Sequence, residues 1–170
     1  MKSASWAGVL AISCCLFFAI ASAHAAAEPN IERLAMCQES WLDWKDDQAR
    51  GAQFAESLRA NYTQKQDQDF LVPKTPKTLL GMPVARIYPD TMGMAVGFSV
   101  VVNSGFETAK RTVEKALGKP LKCDDNSDEM QGCQFELGPK KTVVVMAGEQ
   151  TAKKSAGKSA LVGCYYFYAK

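Results

Sequence analysis

The residues best placed to react with one another are four cysteines: Cys37, Cys123, Cys133 and Cys164. A thiolate can act as a nucleophile or pair into a disulfide, and spacing helps to separate these roles. A redox-active pair sits close in sequence, as in C-x-x-C, and no such pair occurs after residue 30. An even count behind an export signal reads instead as two structural disulfides. Four cysteines allow three pairings. Cys123 and Cys133 flank the polar loop CDDNSDEMQGC, which a disulfide would cinch. Cys37 falls on an apolar helical stripe, and Cys164 falls in the last strand candidate. The expected pairs are therefore Cys37–Cys164, a staple across the domain, and Cys123–Cys133, a clasp around a loop.

Other constellations are weaker. The one histidine, His24, lies in or beside the leader. Cleavage after Ala25 removes it, and with it Ser-His and Cys-His nucleophile pairs and almost every zinc or copper enzyme site. Asp124, Asn126 and Asp128 imitate the first places of a calcium loop. Glu129 stands where glycine is needed, and Phe135 where the bidentate acid is needed. No metal is expected there. AKKSAGKS at 152–159 matches a relaxed phosphate loop, but a strand-like aromatic run follows it rather than a helix, so no nucleotide cofactor is expected. Ser155 and Lys158 form S-x-x-K without the larger scaffold that Ser-Lys acyl chemistry needs. Gly97-Phe98-Ser99 starts a nucleophile-elbow pattern that Val101 does not complete. The aromatics Trp41, Trp44, Tyr166 and Tyr168 either pack in the core or offer a stacking surface to a ligand. With the loop 148–159, Tyr166 and Tyr168 make the candidate binding face.

The leader sets the address. Lys2 precedes an apolar run from Trp6 to Ile20 and small residues ending at Ala27, the build of a signal peptide. Cleavage fits after Ala23, Ala25 or Ala27, with residues 1–25 favoured. A retained anchor over Trp6–Ala27, or a lipid on Cys14 or Cys15, fits the sequence less well. The expected location is periplasmic or secreted. Removal of Lys2 leaves one fewer than 20 basic residues against 18 acidic ones. A near-neutral exported chain has no electrostatic reason to bind nucleic acid. No later apolar stretch is long enough to span a membrane.

Hydrophobic periodicity then supplies the elements. Ile31, Leu34, Cys37, Trp41 and Trp44 recur at helical spacing, and Ala52, Ala55, Leu58 and Tyr62 extend the stripe past an interruption at Gln48. Residues 26–62 are therefore read as one long N-terminal helix with a soft point near Gly51, or two helices meeting there. Pro73 and Pro76 make 63–78 an extended connector. Residues 79–170 carry strands at 83–88, 94–102, 133–137, 142–147 and 160–168. A short piece at 121–123 is a candidate for edge pairing. Between the second and third strands lies a helix opened by a Ser104/Glu107 capping box and stopped by Gly118 and Pro120.

The expected fold is α+β: an N-terminal helix, then a five-stranded antiparallel sheet in the order ββ-α-βββ, with two disulfides. This element order resembles the PAS, profilin and roadblock-like group of sheets, by topology alone. The function expected is a non-catalytic binding or accessory protein of the cell envelope, taking an envelope protein or a small ligand. A small-ligand sensor, as the resemblance implies, and a histidine-independent hydrolase are its rivals.

Overall fold

The computed structural model describes residues 29–89, 91–92, 95–123, 131–148 and 158–166; for Trp44, Lys45, Thr91, Met92 and Ala95 it describes the backbone only. At its centre is β10 (Ala160–Tyr166), every residue of which is buried. It pairs antiparallel with β6 (Ala95–Val102) on one side and β9 (Lys141–Ala147) on the other. Both neighbours are rich in valine, which fits a pleated, buried surface. Gly97 and Gly163 lie in this pairing, where a Cβ at either would meet backbone or side chain of the neighbouring strand.

The five-stranded expectation is corrected here. The described strands form one ten-stranded antiparallel sheet, and the five expected ones are only its middle. Beyond β6 lie β4 (Met82–Tyr88), β2 (Leu71–Pro73) and β1 (Tyr62–Gln64). Beyond β9 lie β8 (Gly132–Glu136) and β7 (Lys122–Cys123). Two short strands, β3 (Thr78–Leu79) and β5 (Thr91–Met92), pair with β4 and β6. The connector 63–78 thus contains strands. Pro73 is the last residue of β2, opposite Tyr62, and Pro76 lies in no strand, so neither interrupts a long ladder.

The N-terminal helical reading, one long helix or two meeting near Gly51, is also corrected. The segment is three pieces: α1 (Ile31–Ala35), α2 (Trp41–Asp46) and α3 (Gln48–Asn61). The breaks fall at residues whose side chains cap the next helix. Asn30 accepts from Glu32 and Arg33 backbone N–H, Ser40 from Asp43, and Asp47 from Arg50. Gly51 lies inside α3, and the buried face there is Phe54 and Ser57, while Ala52 is exposed.

Helix α4 (Phe106–Leu117) presents Phe106, Ala109 and Val113 to the sheet. Its N-cap is Gly105 with no side-chain cap, so the Ser104/Glu107 box does not form. Gly118 ends it in the left-handed region at φ 66°, where glycine carries no Cβ penalty. Glu114 fixes the exit, accepting from Leu121 N–H and Lys110 Nζ, both at 3.0 Å. The Leu121 hydrogen bond and then Lys110 hold its carboxyl below the usual glutamate range. A lowered folded pKa stabilises above the unfolded value, about 4.3, and that stability is lost as pH falls through the folded one. Glu114→Gln is therefore expected to flatten the acid limb of a stability–pH curve and to leave the curve shape above about pH 5 unchanged. Urea midpoints taken from pH 3 to 7 check it.

The sheet separates two apolar clusters. Phe98, Val100, Val102, Val143, Val145 and Val162 join all four helices in the main core. Tyr88, Val101, Val144, Leu161 and Tyr165 form the second cluster, which holds no described helical residue. Period-two alternation along β6, β9 and β10 sorts the residues between them.

Candidate functional site

The cysteines come together as the sequence predicts. Cys37 bonds Cys164, and Cys123 bonds Cys133. The chain leaves α1 with Cys37 in the left-handed region, φ 57°. That conformation is costly for a residue with a Cβ. It turns the chain so that Cys37 meets the centre of β10. Both cysteines are buried, at 3% and 0% exposure.

Two aromatics of the proposed binding face belong to this staple. The Tyr166 hydroxyl accepts from Trp41 N–H at 3.2 Å and donates to the Glu39 carbonyl at 3.4 Å. The Lys141 ammonium donates to the Cys37 carbonyl at 3.3 Å. Tyr166 and Trp41 are each less than a tenth exposed. They fasten the N-terminal segment to the sheet and are not open to a ligand. Tyr166→Phe removes both hydroxyl bonds; a loss of about 1–2 kcal/mol in urea unfolding is expected. Trp44 lies in α2 with only its backbone described, and Tyr168 lies outside the described residues. So do the calcium-like loop 124–129, Ser155 and most of the loop 148–159, while Lys158 is described and exposed.

Among the described residues, two clefts lie along and just beyond α4. A cleft of about 630 Å³ is lined by Leu80, Thr108, Arg111, Thr112, Lys115 and Ala116. A second, of about 430 Å³, follows the exit of the helix, from Lys119 to Lys122 and across to Gln134, Phe135 and Glu136. Arg111, Lys115, Lys119 and Lys122 are all exposed. Of the acids nearby, Glu114 is engaged by Lys110 and the Leu121 amide, Glu107 stands one turn before Arg111, and Glu136 lines the second cleft. The first cleft is thus edged by cations, and the second by two lysines and one acid. Lys115 and Lys119 also offset the helix dipole, but that effect fades within a turn and does not explain Arg111 or Lys122.

Sequence reasoning passed over this group. Its signal was present in the i, i+4 spacing of Arg111, Lys115 and Lys119, but the near-neutral total charge concealed it. No cluster of three or more His, Cys, Asp or Glu side chains suited to a metal occurs among the described residues. The first cleft is formed by α4 and Leu80, and the second runs between the helix exit and β8. Comparison with protein-family models, with curated proteins and with solved structures finds no match, so the resemblance to PAS-like sheets gains no support.

Proposed function

We propose that the chain is an exported, disulfide-stabilised, non-catalytic binding or accessory protein of the cell envelope, and that the outer side of α4 meets an anionic partner there. Two disulfides within one chain fit an oxidising compartment. The observation that carries the binding reading is the group Arg111, Lys115, Lys119 and Lys122 edging two clefts. Such a group attracts a negatively charged surface by field rather than by one shaped pocket. Each cation close to an anionic surface contributes about 1 kcal/mol.

Charge reversal tests it. Arg111→Glu with Lys115→Glu is expected to weaken retention on envelope membranes by more than about tenfold and to reduce its salt dependence. The circular dichroism spectrum and the blocked state of the four thiols should not change. Equal retention of variant and parent removes the surface assignment. Free thiols in the parent, or a chain found only in the cytosolic fraction, removes the export assignment.

A further inference from the structure

We infer that the Cys123–Cys133 disulfide is a pairing guard: it closes first and leaves Cys37 and Cys164 as the only partners for the long staple. This rests on the connectivity in the fold and on the reading that the chain oxidises outside the cytosol.

The staple joins residues 127 apart in sequence, while the clasp spans only 10. The two are nested, so pairing neighbours in order of sequence, Cys37 with Cys123 and Cys133 with Cys164, gives the wrong protein. Loop closure disfavours those errors. Its entropy grows as three-halves of the logarithm of loop length. The loop from Cys133 to Cys164 is about threefold longer than the clasp, which makes it about fivefold slower to close. The loop from Cys37 to Cys123 is more than eightfold longer, and about 25-fold slower.

Local structure adds to this advantage. β7 and β8 are antiparallel, and Cys123 stands directly opposite Cys133 in their register. Directly opposed residues in an antiparallel pair are close enough for their side chains to meet. By contrast, the staple needs α1, β10 and the left-handed turn at Cys37 all in place.

Each closure consumes two thiols and one disulfide donor. One cysteine thiolate attacks glutathione disulfide, releasing one glutathione and leaving a mixed disulfide. The second cysteine thiolate then attacks the protein sulfur of that mixed disulfide and releases the other glutathione. Once Cys123 and Cys133 have done this, only Cys37 and Cys164 remain to react. No reshuffling is needed.

The test uses the full chain with Cys14→Ser and Cys15→Ser, so that only these four thiols react. It is reduced, unfolded, and oxidised with glutathione disulfide. Samples are alkylated over time and their pairs mapped by mass spectrometry. Cys123–Cys133 should be the first abundant pair, at least about fivefold ahead of any other. Cys133→Ser alone leaves Cys123 as a competitor. It should cut the yield of Cys37–Cys164 several-fold and produce Cys37–Cys123 and Cys123–Cys164. Adding Cys123→Ser to Cys133→Ser should restore the staple. A double variant that pairs no better than the single one overturns the inference, as does any other first pair. Neither result bears on which partner the α4 surface meets.

Discussion

Replacing Cys37 and Cys164 together by alanine is expected to lower the unfolding free energy by about 5 kcal/mol. The bond closes a loop of 127 residues. In the chain-entropy account that constraint is worth about 5 kcal/mol, against about 3 kcal/mol for the loop of 10. The total stability of a domain this size is about 5–15 kcal/mol, so the variant should sit near its folding threshold. Changing both partners avoids a free thiol that could mispair. Truncation also removes buried sulfur beneath α1, and Cys37 loses what holds it in the left-handed region. Urea unfolding of this variant beside Cys123→Ala with Cys133→Ala checks the order. Equal losses in the two would contradict the assignment of the long bond as the main staple.

Gly97→Ala is expected to cost more than about 3 kcal/mol, from the addition of one methyl group. A Cβ at Gly97 would clash with the Cys164 carbonyl oxygen and stand 3.0 Å from the Tyr165 ring. The first neighbour is backbone in the central strand and cannot rotate away. β6 would have to part from β10 across the middle of the sheet. Overpacking of this kind reaches or exceeds the upper end of the usual range for an added methylene. The same separation would disturb Cys164 and reduce the yield of the staple. Chemical unfolding with disulfide mapping reads both effects. A loss below about 1 kcal/mol would show that the two strands separate without difficulty.

Much of the fold was legible because its signals are local. β6 alternates cleanly, β9 and β10 are short apolar runs, and Gly118 stops α4 where a left-handed residue is needed. These features depend on neighbours a few residues away. The extra strands were not legible for the opposite reason. β1, β2, β3 and β5 are two or three residues long, too short for a period to show; β7, equally short, was legible only as an edge piece at 121–123. They exist because longer strands offer them an edge. The N-terminal helix failed in another way. Its apolar spacing runs through Ser40 and resumes after an interruption at Gln48, and both Ser40 and Asp47 cap new helices. A cap competes with continuation of the helix, and after α1 the turn at Cys37 toward β10 adds to it.

The candidate site divides along the same line. Composition and spacing alone gave the favoured cysteine pairing and the single histidine, since each rests on residue type and position along the chain. Only the tertiary structure decided that Tyr166 and Trp41 are fastenings and that the cations of α4 edge an open cleft. A strand of consecutive aromatics does not say which face is covered; that depends on where α1 and α2 come to rest. A near-neutral total charge does not say where charges gather; that depends on which side of α4 the sheet takes. The short polar loop between Cys123 and Cys133 favoured one of the three pairings from sequence, and the structure shows that pairing, with Cys37 beyond the end of α1.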